Sequence, residues 1–323
     1  MHTEPIAPQE DELPLVTVTF VAWMRRDALQ AGIESCVMQT YPHIEVVVVD
    51  NSPTDDIHRW LLEAYPAVKA IKTARPIALP AARNLLVATA AGEFVIFHDD
   101  DSRFSSPQDV ERAVKYLRPR PQVACLAFRV GDGVGEWNPQ FDAPEPCPIY
   151  TFIACATMFR RVDFAAAGWY FEDFWLYGEE RVMALGFHGL GKEIHLLPEV
   201  SILHVPEETG RAKDNAARYW TAEVVMTPGT ALLKFPLPEV LWLWPIMQVY
   251  YALQVAIPRR RPGLALKALG LALLYLPKFL SKRSAMPREE FLRWRRVRNA
   301  YQRSYLQRTG RWRWYHALLP AAG

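Results

Sequence analysis

The chain has 323 residues, half of them hydrophobic, and a net charge of only +2. That supports one large domain or a domain with an appendage. Its four cysteines, Cys36, Cys125, Cys147 and Cys155, lack C-x-x-C spacing, which argues against a disulfide framework or a structural zinc site. The near-zero charge hides an asymmetry. Residues 258–323 carry 16 of the 37 Lys+Arg and 2 of the 35 Asp+Glu, so a basic C-terminal segment follows an acidic body.

The first fourteen residues are acidic, contain proline and have no apolar signal-peptide run, so they read as a mobile tail. Residues 15–22 are β-branched and aromatic, a first strand. Residues 26–38 follow with helical spacing, their apolar face being Leu29, Ile33, Cys36 and Val37, and Pro42 blocks continuation. Residues 44–50 form a second, almost wholly apolar strand. Two such strands joined by a helix predict a βαβ unit in a sheet covered on both faces. A helix at 57–65, a strand at 68–73 and a helix opening at Pro80 continue the alternation.

Residues 94–98 are a further apolar strand, ending in Asp99-Asp100-Asp101-Ser102. Three carboxylates cannot share a core without compensation, so they belong to the loop past the strand's end. They suit either a hard divalent ion with oxygen ligands or an acidic turn that caps the helix near Pro107. Asp50 also ends a strand, and ligands of open α/β sheets bind at the carboxyl ends of strands. There is no Gly-rich phosphate loop.

A helix at 110–117, a strand at 123–130, a Pro-rich loop at 131–148 and a strand at 149–159 come next. Residues 168–180 interleave aromatics with acids. They suit a sugar-like ligand or, alternatively, a core-facing aromatic cluster with exposed acids. A helix at 179–190 leads to strands at 194–198 and 200–204. Domain boundaries are expected at 15–230 and 231–323.

Residues 240–257 are strongly apolar and rich in Trp and Tyr, residues 264–280 are a second apolar run containing Lys267 and Lys278, and Arg259-Arg260-Arg261 and Lys282-Arg283 follow them. An 18-residue helix extends about 27 Å at ~1.5 Å per residue, just short of the ~30 Å hydrocarbon core. With Pro245, Gln248, Gln254 and Pro277 inside them, these runs read as helices lying in an anionic membrane interface. The alternatives are a spanning helix, a lid on the catalytic domain or a homo-oligomer interface. Arg293, Arg295, Arg296, Arg298, Trp312 and Trp314 could suggest nucleic acid. The acidic body and the lack of a nucleic-acid motif oppose that.

Taken in order, the chain resembles family-2 glycosyltransferases of the GT-A nucleotide-sugar fold. The resemblance rests on Val16–Val21 with Gln39-Thr40-Tyr41-Pro42, Val47-Val48-Val49-Asp50-Asn51-Ser52, Ala82-Arg83-Asn84, Ala91–Phe97 leading into Asp99-Asp100-Asp101, Gly178-Glu179-Glu180, and Leu197-Pro198 with His204. It implies an α/β fold with a mostly parallel central sheet and a nucleotide-diphospho-sugar donor. It also implies Mg²⁺ or Mn²⁺ and a glycan or lipid-linked acceptor in cell-envelope synthesis at the inner face of the membrane. By the same resemblance, Asp50 receives the base and Arg83 positions the donor. Asp99 and Asp101 form the DxD pair, with Asp101 on the metal, Asp99 near ribose and metal, and Asp100 between them pointing away. His204 lies near the diphosphate and metal, and Glu180 is the general base.

The family's usual Glu-Asp pair is here Glu179-Glu180, which leaves Glu179 as the other candidate base. Glu172-Asp173 is a second, less well placed pair. Val182-Met183 and Gly186 stand where the family often has Asp-Leu and Arg. Other readings are a nucleotidyltransferase of similar fold or a non-catalytic membrane-docking scaffold.

Overall fold

The computed structural model describes residues 13–174, 178–205 and 215–310. Nearly all of the expected N-terminal tail lies outside them, as do Trp312, Trp314 and residues 175–177 of the aromatic block.

The strands are β1 (Val16–Ala22), β2 (Ile44–Asp50), β3 (Lys69–Lys72), β4 (Phe94–Asp99), β5 (Ser102–Phe104), β6 (Val123–Gly131), β7 (Cys147–Ile149), β8 (Thr157–Arg160) and β9 (Glu193–His204). Their order is β3-β2-β1-β4-β8-β6-β9-β5, with β7 also on β9. β1 to β4 are parallel. β8 runs against its neighbours β4 and β6. β6 and β9 are again parallel, and β5 and β7 pair antiparallel with β9. The sheet is thus mixed and mostly parallel, as the α/β reading expects.

Helices cover both faces, and this explains why the central strands lack polar alternation. Val16, Val18 and Phe20 of β1 pack with α1 (Arg26–Val37), α2 (Asp56–Ala64) and α4 (Asp109–Leu117). Val47 and Val49 of β2 and Phe97 of β4 pack with α3 (Leu79–Thr89), α5 (Arg161–Ala166) and α6 (Glu179–Gly189) on the opposite face. Thr19 remains dry on that face because its hydroxyl donates to the Ile96 carbonyl at 2.9 Å.

Three details differ from the sequence reading. Val37 is 75% exposed, because α1 ends there and turns its last side chain outward. The strand expected at 149–159 is two strands, β7 and β8, separated by a 3-10 turn at Ala154–Ala156. The strands expected at 194–198 and 200–204 are the single β9, with a register shift opposite Phe128/Arg129 that absorbs Pro198.

The C-terminal helices are α7 (Asn215–Lys234), α8 (Leu237–Ala256), α9 (Pro262–Ser281) and α10 (Arg288–Thr309). α7 runs across the expected boundary at 230. A third apolar cluster joins them to the outer face of α6 through Val182, Leu185, Met226, Phe279, Phe291 and Trp294. Ion pairs reinforce the contact. Asp173 meets Lys278 at 2.6 Å and Lys282 at 2.8 Å, and Arg293 meets Glu193 at 2.8 Å. α9 is long and apolar enough to cross a membrane, and only 22% of that apolar window is buried.

His188 marks this junction. It is buried on α6, and burial, with the nearby Arg293 cation, lowers its pKa to about 4 from 6.5. The folded state therefore binds fewer protons than the unfolded state between those values. Stability contributed by neutral His188 is complete above pH 6.5 and is lost as pH falls toward 4. The loss is at most about 3 kcal/mol. Urea denaturation across this window should show the decline, and His188→Gln should flatten it. An equal slope in both proteins would contradict the assignment.

Candidate active site

The site forms where the carboxyl ends of β2, β1 and β4 lie side by side. Ala22 of β1 is in register with Asp50, and Val21 with Asp99. Asp50 and Asp99 therefore flank one strand end, where the chain leaves β1 toward opposite sides of the sheet.

Asp50 is fully buried. Its Oδ1 accepts the Ser52 backbone N–H at 2.9 Å. Lys72 Nζ stands 3.2 Å from Oδ2 but donates its hydrogen bond to the Ser52 carbonyl. Oδ2 has a counter-charge and no hydrogen bond, which suits it to receive an N–H from a ligand. Asn51 fixes the adjoining loop: its side chain donates to Ile77 O and accepts from Ile77 N, both at 2.9 Å.

The Asp triplet is held by Ser102, the first residue of β5. The Ser102 hydroxyl accepts from Asp99 N and donates to Asp99 O, each at 3.0 Å. The Nδ1 of buried His98 lies 2.9 Å from the same oxygen. Burial holds His98 neutral, with its pKa down at about 3, and its ring stacks on Phe20. The turn therefore leads into a strand and not directly into a helix cap, and Asp99 parts from Asp100 and Asp101, which share Arg25.

Asp100 turns inward, 1% exposed, and accepts Trp23 N–H at 2.7 Å and an Arg25 hydrogen bond. Burial raises its pKa to about 7, against the pull of Arg25. Asp101 accepts from Arg25 and lies 3.1 Å from His204 Nε2. Burial opposes its ionisation, but His204 and Arg25 outweigh burial and hold its pKa below the ordinary value. His204 ends β9 in register with Ser102, which brings it back to the triplet.

Asp99 faces the cleft and joins Arg83. Arg83 Nη2 donates to Asp99 Oδ1 at 2.8 Å, and Nη1 donates to Glu179 Oε1 at 3.0 Å. Glu180 Oε1 is 4.0 Å from the same Nη1. Arg83 is 3% exposed and lies near the faces of Phe97 and Tyr170. Burial disfavours its charge, but Asp99 and Glu179 more than compensate and raise its pKa. Burial and then Glu180 push the Glu179 carboxyl up, with Arg83 opposing. Glu180 stays half-exposed at the cleft. Gly178 makes the entry into α6: its φ is +97°, and a Cβ there would lie 2.9 Å from Phe174.

Arg83, Asp99, Asp101, His204, Glu179 and Glu180 thus belong to one region, with Asp50 at a neighbouring strand end and Asp100 supporting the triplet from below. The Glu172-Asp173 pair is structural. Glu172 accepts from Asn84 at 3.0 Å, and Asp173 is neutralised by two lysines. Tyr170 and Phe174 are buried core residues, so that part of the aromatic block takes its core-facing reading. Arg25, Lys72 and Cys155 were not legible as site residues. Arg25 follows a strand end, which is a usable signal, whereas Cys155 sits among small apolar residues and carries none.

Asp99, Cys155 and His204 offer ligand atoms that all lie within 4.8 Å of one another. Carboxylate and imidazole donors at that spacing fit a divalent ion.

The fold is that of the GT-A-type glycosyltransferases. Residues 16–173 match the family model of Glycosyl transferase family 2. The chain is 24% identical over 74% of its length to an O-antigen biosynthesis protein, RfbC, of Myxococcus xanthus, covering 20% of that protein. It is 30% identical over 28% of its length to a UDP-Glc:alpha-D-GlcNAc-diphosphoundecaprenol beta-1,3-glucosyltransferase, WfaP, of Escherichia coli, covering 36% of it. The chain thus spans about a fifth and a third of these relatives. Among solved structures, the mannosyltransferase PcManGT of Pyrobaculum calidifontis, in complex with GDP-Man and Mn²⁺, superposes with a TM-score of 0.55. Identity is 20%, over 95% of this chain and 91% of that one.

Ser102→Ala removes the side-chain oxygen that closes the Asp turn and takes its partner from the part-buried Asp99 N–H. We expect a loss of about 1–3 kcal/mol, read from the urea midpoint. An unchanged midpoint would show that the turn does not depend on Ser102.

Proposed function

We propose that this protein transfers a sugar from a nucleotide-diphospho-sugar to an acceptor hydroxyl with inversion, in the assembly of a cell-envelope polysaccharide or glycolipid. The observation that carries the proposal is the Arg83 bridge. It draws Asp99 at the end of β4 and Glu179 at the start of α6 to one guanidinium, with Glu180 beside them.

In this reading Asp50 Oδ2 accepts an N–H of the nucleotide base, with Lys72 standing 3.2 Å away as its counter-charge. Asp99, Asp101 and His204 would hold a Mg²⁺ or Mn²⁺ ion, which supplies Lewis-acid stabilisation of the leaving diphosphate when bound. Arg83 fixes the Asp99 carboxylate against rotation. Glu180 takes the proton from the acceptor hydroxyl as that oxygen attacks the anomeric carbon from the face opposite the leaving group. Glu179 is already committed to Arg83, and burial favours its neutral form. Both features support Glu180 as the base in this reading.

The acceptor in this proposal is lipid-linked, and the C-terminal helices lie against the inner face of the membrane. Leu241, Ile246, Val249, Leu253 and Ile257 form an exposed stripe along α8, and Leu266, Leu273 and Leu274 one along α9. Exposed Arg259, Arg260 and Arg261 join the two helices. This pairing of apolar and basic groups suits anionic headgroups.

Glu180→Gln should preserve donor binding and slow transfer by about 10²–10⁴-fold, measured by calorimetry and product formation. Near-normal transfer would remove Glu180 from the role. Replacing Arg259, Arg260 and Arg261 with alanine should weaken binding to anionic vesicles by roughly 3 kcal/mol, about a hundredfold. Unchanged co-sedimentation would contradict membrane docking through this turn.

A further inference from the structure

Cys155 stands in the 3-10 turn before β8, 1% exposed. A buried thiol among small apolar residues is ordinarily inert packing. Here its Sγ lies within 4.8 Å of ligand atoms of both Asp99 and His204. Among the described residues this is the single set of three such groups that converge in this way. Those two partners come from the ends of β4 and β9, and the turn at Ala154–Ala156 packs Cys155 beneath them.

The distances are compatible with coordination. Donors at about 2.0–2.3 Å from a tetrahedral Zn²⁺ stand roughly 3.3–3.8 Å apart. Side-chain movements of about 1 Å would close the set. Asp101, 3.1 Å from His204 Nε2, places a further carboxylate beside the set.

We infer that Cys155 is a protein ligand of the divalent ion at this site, and that the resulting carboxylate–imidazole–thiolate set favours thiophilic ions such as Zn²⁺ and Co²⁺. The inference rests on the proposed function for the presence of an ion beside Asp99 and His204. On binding, the S–H bond breaks, the S–metal bond forms and the proton leaves to the buffer. Carboxylates alone suit Mg²⁺ and Mn²⁺, imidazole suits zinc, and a thiolate shifts preference further toward soft ions. Cys155 would thus make zinc a competitor of the working ion. The cysteine spacing that argues against a structural zinc site does not bear on one thiol completing a mixed set.

Any site of nitrogen and oxygen donors binds zinc more tightly than manganese, so the discriminating observation is dependence on sulfur. Co²⁺ titrated into the full chain should give an intense near-ultraviolet thiolate-to-cobalt charge-transfer band, and Cys155→Ser should lack it. Zn²⁺ affinity in Cys155→Ser should fall at least about tenfold, since loss of even an outer-shell partner typically costs 10–100-fold. Mn²⁺ affinity should change less.

A wild-type protein that binds Co²⁺ without the band overturns the inference, as does a Cys155→Ser protein that keeps it. The wild-type spectrum decides even if the variant does not fold. A parallel titration with UDP or GDP and Mn²⁺ tests the donor reading by itself. Nucleotide binding without the thiolate band defeats only the Cys155 inference. A thiolate band without nucleotide binding defeats only the donor reading.

Discussion

A single buried guanidinium connects the two halves of this site. Arg83 bonds a carboxylate that closes a strand and another that opens a helix, residues 80 positions apart in sequence. A cation at 3% exposure persists because the Asp99 and Glu179 carboxyl groups accept its hydrogen bonds. They in turn stay ordered near one another only because it lies between them. Arginine suits this role because its planar fork serves two acceptors at once. The aromatic rings of Phe97 and Tyr170 limit where that fork can sit. The position of Glu180 then follows from its neighbour Glu179.

Charge is distributed on the same plan at larger scale. The acidic triplet is divided between two arginines: Arg83 takes Asp99, while Arg25 is shared by Asp100 and Asp101, the latter also lying against His204. Asp173, which the sequence offers as a second acid at the site, secures α9 through two lysines. Basic residues of the C-terminal segment thus divide between those that clamp it to the acidic body and those, at Arg259 to Arg261, that remain outward.

The strands and their functional ends were legible because burial on both faces writes itself as unbroken apolar runs. An acid that terminates such a run is conspicuous, and Asp50, Asp99 and Asp101 were found that way. α7 was not, because it is packed among helices and carries Pro228 and Gly229. α10 hides Phe291, Trp294, Arg298, Tyr301 and Tyr305 along one stripe beneath a heavily basic surface. The spacing is helical, but arginine density dominates the reading. Arg25 and Cys155 illustrate the harder limit. Their partners are distant in sequence, and only tertiary packing brings them together.

The most direct measurement is the rate at which nucleoside diphosphate is released from nucleotide sugars, with Mn²⁺, by the wild-type protein and by Arg83→Lys. Lysine keeps the charge but cannot hold Asp99 and Glu179 in one planar fork. If that fork organises the reaction, the wild type releases nucleoside diphosphate from one class of donor, and Arg83→Lys does so on the order of a hundredfold more slowly. An undiminished rate in Arg83→Lys, or no release by the wild type from any donor, would contradict it.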